Sequence, residues 1–228
     1  MYEFDAQDYP YPSKRHVVYA KNGMVCAGNP TATAAGLQTL LKGGNAIDAA
    51  VTVATTLPVV EPTGNGLGSD CFAIIWYKGK LYGINGSGPA PLANSVAALK
   101  ARGFEKIPSY GVEPVNVPGA VGGWMAMHER FGSMDLDEVM KPAIFYAENG
   151  FPVSPNISRL WEEAFGIYSK YKDRPEFAPW FETFAPKNTW LRPGEMFANP
   201  DMAKSLRLIA KTHGEAFYKG ELAERTHD

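Results

Sequence analysis

Four stretches follow one another within residues 29–77, and their order decides the fold: Asn29-Pro30-Thr31-Ala32-Thr33, Gly43-Gly44-Asn45-Ala46-Ile47-Asp48, Gly64-Asn65-Gly66-Leu67-Gly68 and Cys71-Phe72-Ala73-Ile74-Ile75-Trp76-Tyr77. Asn29 can accept from an orphan amide at a helix start, and Pro30 suits the first helical position because its missing N–H would be unpaired there. Ala34, Leu37, Leu40 and Leu41 recur at helical spacing and predict an apolar stripe. Gly43 ends this helix with a left-handed residue. Asn45 caps a second helix, with Asp48 three residues on in a near capping-box arrangement that also suits the helix dipole. Ile47, Ala50, Val51 and Ala54 line that helix, and its alanines predict a close approach to a sheet.

Gly64, Gly66 and Gly68 stand two apart just before the apolar run 71–77. At strand spacing the missing side chains predict another backbone lying close. A plain surface loop is the alternative. A nucleotide loop is a third reading, and it predicts phosphate bound at Gly64–Gly68. It is disfavoured because phosphate loops run from strand to glycines to helix, and no Gly-Lys-Ser/Thr follows here.

Several of these residues carry a resemblance. The run Gly43-Gly44-Asn45-Ala46-Ile47-Asp48-Ala49-Ala50, then Val60-Glu61-Pro62 and Gly66-Leu67-Gly68, resembles the γ-glutamyltranspeptidase family. So do Val117-Pro118-Gly119-Ala120-Val121-Gly122-Gly123, Pro142-Ala143, Glu148-Asn149-Gly150-Phe151-Pro152-Val153 and Phe217-Tyr218-Lys219-Gly220, all in the same order.

Composition agrees with a globular domain: 228 residues, 45% apolar and 20% charged, suffice for a substantial core. A net charge of −2 gives no general attraction to nucleic acid or to anionic membrane, so neither is expected as a partner. No apolar run reaches membrane-spanning length. The first fifteen residues lack an apolar signal core, so a cytoplasmic location is expected, with the periplasm or secretion open if a leader has been removed. Cys26 and Cys71 make no metal or disulfide pattern and are expected as two buried free thiols.

Residues 1–14 read as a surface arm, and 15–228 as the large-subunit portion of one γ-glutamyltranspeptidase-like domain. His16–Ala20 and Met24–Gly28 flank Lys21-Asn22-Gly23 and predict a hairpin. A second hairpin joins 71–77 to Lys80–Ile84 through Lys78-Gly79. The order strand, strand, helix, helix, strand, strand argues for an α+β fold with antiparallel sheet covered by helices. The resemblance sharpens this to part of the αββα sandwich of N-terminal-nucleophile hydrolases. Gly86-Ser87-Gly88-Pro89-Ala90-Pro91 reads as an irregular loop. Helices are expected at Ser95–Arg102, Val121–Phe131, from Asp135 or Asp137 to Glu148, at Ile157–Tyr171, Asp201–Thr212 and Gly220–Thr226. Residues 172–200, with four prolines, read as a long connection.

The residues alone show no complete catalytic constellation. His16, His128, His213 and His227 lack zinc-ligand spacing, so neither a metal nor a cofactor is expected. No Gly-x-Ser-x-Gly elbow or Ser-x-x-Lys motif is present. His128-Glu129 reads as surface chemistry. The resemblance implies why: family members are made as a zymogen that cuts itself, freeing a threonine at the start of a small subunit. Its own α-amine, with a pKa near ~8, serves as the base, and backbone amides hold the oxyanion. That threonine lies well downstream of the counterpart of Phe217-Tyr218-Lys219-Gly220, so no catalytic residue is expected in this chain, and the small subunit from the same precursor is its partner. Thr226-His227-Asp228 resembles a nucleophile segment, but its position within a continuing helix argues against that role.

The resemblance also implies an arginine just before an Ala-Pro, on the loop after the second hairpin strand, forking onto the glutamyl α-carboxylate. Here Asn85 or a close neighbour stands there, and Asn cannot make a bidentate charged pair. Losing such a contact in a buried site costs roughly 2–5 kcal/mol. The expected function is therefore a hydrolase/acyltransferase of the family's type, in glutathione metabolism or acting on a related small-molecule amide, with altered acyl specificity. Asn85 and Ser87 line the substrate pocket, or only shape a tight turn. A non-catalytic fragment or assembly module on the same scaffold is the rival reading.

Overall fold

Asn29 opens the first helix of the computed structural model, which describes residues 17–227. Its Oδ1 accepts from the Thr31 amide at 2.9 Å, and its Nδ2 donates to the Val60 carbonyl at 3.1 Å. One side chain thus caps α1 (Pro30–Leu41) and ties it to the far end of α2 (Ala46–Val60). Gly43 holds a φ of +96° in the turn between them. The capping box at Asn45 and Asp48 forms in full.

The hairpin β1 (Cys71–Tyr77) and β2 (Lys80–Gly86) follows, antiparallel, with Tyr77 opposite Lys80 and Cys71 opposite Gly86. Its turn residues Lys78 and Gly79 both have positive φ, at 47° and 79°. Then come α3 (Val96–Ala101), α4 (Ala120–Phe131), α5 (Leu136–Asn149), the short strand β3 (Phe151–Pro152) and α6 (Pro155–Tyr168). The chain closes with α7 (Ala178–Phe184), β4 (Met196–Phe197), α8 (Pro200–Lys211), α9 (Glu215–Lys219) and α10 (Glu221–His227). This is the expected α+β arrangement.

Helix α2 packs on α1, α4 and α5, while α8 packs on α5 and α4 lies against the hairpin. Val51, Val60, Ile75, Trp124, Phe131, Met140, Trp161, Leu206 and Ile209 form one continuous core. Alternation along the hairpin gives it two unlike faces. Cys71 and Ile75 turn inward beside half-buried Tyr82 and Ile84, whereas Phe72, Ile74, Trp76 and Leu81 are 65, 86, 71 and 66% exposed.

Several sequence expectations are corrected. Residues 17–28 form no strand, so the described part of the first hairpin is absent; these residues are largely exposed and lack the packed helix that supports a two-stranded hairpin, which β1 and β2 have in α4. The arm at 1–14 and His16 lie outside the described residues, as does Asp228. Cys26 is exposed, because it sits in that irregular segment, and only Cys71 is buried. The stripe Ala34, Leu37, Leu40 and Leu41 does not face the core. Ala32, Ala35, Gly36 and Thr39 do, leaving Leu37 and Leu41 43 and 78% exposed. Small residues win that position because they let the two helix axes approach. A Cβ on Gly36 would lie 2.6 Å from Val53 Cγ2 and 2.9 Å from Val25 Cγ1. Gly36→Ala is expected to lower stability by about 1–3 kcal/mol in urea denaturation, through overpacking.

For the same reason the main neighbours of α2 are the helices α1, α4 and α5, where a sheet is expected. It meets them through buried Thr52, whose hydroxyl pairs with that of Thr39 in α1 at 2.9 Å, and through buried Thr55 and Thr56, whose hydroxyls donate to carbonyls of their own helix. The connection 172–200 also holds more structure than expected. Pro175 and Pro179 stand at helix starts, where their missing N–H costs nothing, and α7 follows. Trp161 donates from Nε1 to the Phe184 carbonyl at 2.9 Å and packs edge-on against Phe197, gathering α6, α7 and β4. Helix α6 ends at Tyr168, with a 3-10 turn at Ser169–Tyr171, and α9 is an additional element.

Candidate functional site

The acyl-donor loop expected at Asn85–Pro91 leaves β2 at the end of the hairpin. Asn85 Oδ1 accepts from the Ser87 amide at 3.1 Å, closing an Asx turn. The two predicted site residues are thus brought together by direct contact. Asn85 is exposed and Ser87 half-buried, and Asn85 shares the outward hairpin face with its cross-strand partner Phe72. Residues 16–101 contain no arginine, so this segment supplies no guanidinium to the loop.

Three backbone segments cross beneath the loop. Gly88 has a φ of +72°, and a Cβ on it would lie 1.8 Å from the Val117 carbonyl oxygen. A Cβ on Gly119 would lie 1.9 Å from the Gly86 carbonyl oxygen. The Val117 amide donates to the Pro89 carbonyl at 2.9 Å, and the amides of Gly119 and Ala120 both donate to the Ser69 carbonyl, at 3.2 and 2.8 Å. The close approach expected at Gly64–Gly68 is therefore found here. A Cβ on Gly64 or Gly68 would meet nothing within 4 Å, and these residues form turns. Gly86, Gly88 and Gly119 lie in glycine-bearing stretches like the one at 64–68, and only three-dimensional proximity distinguishes them from the open glycines.

Tyr218, in α9, reaches the same crossing from the C-terminal end of the chain. Its hydroxyl donates to the Pro118 carbonyl and accepts from the Gly122 amide, each at 2.8 Å. Burial pushes its pKa up, so the hydroxyl stays protonated and able to donate.

At the other end of α4, Asp48 is fully buried and acts on more than its own helix. Its carboxylate accepts from the Ser133 amide at 2.9 Å, from the Ser133 hydroxyl, from the Met134 amide at 3.3 Å and from the Asn45 amide at 2.8 Å. Burial alone would push its pKa up, but these bonds from Ser133, Asn45 and Met134 outweigh that and hold it below the usual carboxylate range. The turn between α4 and α5 is thereby clamped to the start of α2. His128 supports the same turn, its Nε2 2.8 Å from the Met134 carbonyl oxygen. Thr226 lies inside α10 with its hydroxyl donating to the Leu222 carbonyl at 2.7 Å.

Among the described residues no cluster of three His, Cys, Asp or Glu is placed to hold a metal, and no helix is long and apolar enough to cross a membrane.

A sequence model described as Gamma-glutamyltranspeptidase matches residues 32–228. The chain belongs to the γ-glutamyltranspeptidase family. The matching portion is the N-terminal part of the family's large subunit. A glutathione hydrolase-like YwrD proenzyme of Bacillus subtilis (strain 168) is 37% identical over 207 residues, covering 89% of this chain and 38% of that protein. The crystal structure of cephalosporin acylase from Bacillus halodurans superposes with a TM-score of 0.92 at 50% identity, over 99% of this chain and 42% of that one. Helicobacter pylori γ-glutamyltranspeptidase superposes with a TM-score of 0.81 at 30% identity, over 91% of this chain and 59% of that one. The chain spans about two fifths of the length of the curated relatives it matches. These neighbours place the helix-clad antiparallel hairpin within the N-terminal-nucleophile hydrolase fold of the γ-glutamyltranspeptidase and acylase kind.

Proposed function

We propose that the protein is an amide hydrolase and acyltransferase of the γ-glutamyltranspeptidase type, with acyl specificity shifted away from γ-glutamyl donors. This chain supplies scaffold and donor loop. The nucleophile is the N-terminal threonine of a small subunit cut from the same precursor, and the chain by itself is inactive. The threonine Oγ attacks the amide carbon while the α-amine takes its proton. The leaving amine departs with a proton, and water or an acceptor amine then releases the acyl group. Its similarity to a glutathione hydrolase-like proenzyme and to a cephalosporin acylase supports this reaction class.

The observation that carries the specificity is the loop Asn85–Pro91, held in place by the glycine crossing yet neutral, with no arginine between residues 16 and 101. An amide and a hydroxyl favour a polar, uncharged acyl end over a carboxylate that needs a forked cation. Kinetics of the full-length processed enzyme test this. γ-Glutamyl-p-nitroanilide and its 4-aminobutyryl analogue, which lacks only the α-carboxylate, are expected to show kcat/KM values within about tenfold of each other. A carboxylate clamp would instead separate them by about 30- to 4,000-fold, equivalent to about 2–5 kcal/mol. A separation of that size refutes the altered specificity, and no turnover of any acyl anilide refutes the enzyme.

A further inference from the structure

We propose that Tyr218 is a positioning residue for the acyl donor, acting through the Val117–Gly119 segment on the loop Asn85–Pro91. The proposal rests on the reading of that loop as the donor loop. Tyr218 lies 100 residues from Pro118 and 96 from Gly122 in sequence, yet its hydroxyl bonds to both. It is the group that occupies the third amide of α4, because Gly119, at the cap position, has no side chain to offer. The same bond pair pins the Pro118 carbonyl, one residue from each of the two backbone contacts that grip the loop. Val117 N donates to Pro89 O on one side, and Gly119 abuts Gly86 on the other.

The approach of Tyr218 is itself built into the chain. His213 and Gly214 both take positive φ, at 49° and 82°, between α8 and α9. A Cβ on Gly214 would lie 2.8 Å from Met125 Cγ and 3.3 Å from Val121 Cγ1. The turn therefore presses directly against α4 and swings α9 so that the tyrosine reaches the start of that helix. Two segments about 100 residues apart in sequence meet at one hydroxyl, and the element they steady is the one on which Asn85 and Ser87 stand.

Tyr218→Phe removes the hydroxyl and keeps the ring. In the full-length processed enzyme it is expected to raise KM for the preferred acyl anilide about tenfold while leaving kcat within about twofold. The melting temperature is expected to move by no more than about 3 °C. Hydrogen exchange followed by mass spectrometry is expected to speed up in peptides covering 85–91 and 117–123, with the remaining helices unchanged. A purely structural tyrosine would lower the active fraction, so kcat would fall with KM unmoved; that result overturns the proposal. Unchanged exchange in both peptides overturns it as well. If the wild-type enzyme hydrolyses no acyl anilide, the functional reading fails, and the exchange measurement still decides whether Tyr218 holds the loop.

Discussion

Asp48→Ala is expected to lower the stability of the protein by about 3–5 kcal/mol, the largest loss foreseen for any single side chain described here. The substitution takes the shared acceptor from the amides of Asn45, Ser133 and Met134 and from the Ser133 hydroxyl, and leaves a gap where a fully buried carboxylate stood. Each abandoned donor costs about 1–3 kcal/mol, part of which relaxation recovers. Two elements are affected together, because the carboxylate joins the start of α2 to the turn that connects α4 with α5. Asp48→Asn keeps one acceptor oxygen but directs an NH2 at donors, so a smaller loss of about 1–3 kcal/mol is expected.

The pH dependence has a definite sign. The folded carboxyl titrates below its ordinary value of 3.8. Its contribution is thus complete above the unfolded pKa and is lost as pH falls through the lower, folded one. Urea denaturation of the wild type is expected to weaken below about pH 4, and the Asp48→Ala protein to lack that component of the acid transition. An alanine variant within about 0.5 kcal/mol of wild type at pH 7 would show that the clamp contributes nothing.

Gly88→Ala carries the second large effect, and it falls on activity. The new methyl would have to occupy a point 1.8 Å from a backbone oxygen, at a φ of +72° that L residues rarely adopt. Neither obstacle is a flexible side chain, so the loop itself must move. A displacement on the ångström scale is expected to reduce kcat/KM of the full-length enzyme about 100-fold or more. The loss of melting temperature is expected to be only a few degrees, since the loop lies outside the core. Gly68→Ala is the matched control: nothing lies within 4 Å, φ is not positive, and both activity and stability are expected to stay unchanged. Equal effects of the two substitutions would separate the loop from function.

The features legible in the sequence are those set by neighbours along the chain. Asn29, Asn45 and Ser95 each cap the helix they precede, Gly150 follows α5 with positive φ, and Lys78-Gly79 turns the hairpin. Each is settled within two or three positions along the chain, and local chemistry is enough to predict it. Reading failed where the outcome depends on what arrives from far away. Leu37 and Leu41 satisfy a helical period, but Gly36 and Ala35 on the opposite side permit the closer packing, and the closer packing wins. The glycines at 64, 66 and 68 share the composition of those at 86, 88 and 119, while only the latter lie under another backbone. Asp48 was legible as a capping residue, yet its main partners sit 85 and 86 positions onward. For the site, the absence of an arginine near Asn85 could be read directly. The Asx turn joining Asn85 to Ser87, and the reach of Tyr218 into the crossing, could not.

The two-faced hairpin also has a consequence for how the protein is made. Helix α4 covers only the inward face of the hairpin, so the outward band formed by Phe72, Ile74, Trp76 and Leu81 stays wet even once the described residues have folded. A new copy of this portion can therefore stick to another through the same four side chains. Slower, cooler expression with abundant chaperones is expected to raise the soluble yield, and a charged residue in place of Ile74 to do the same.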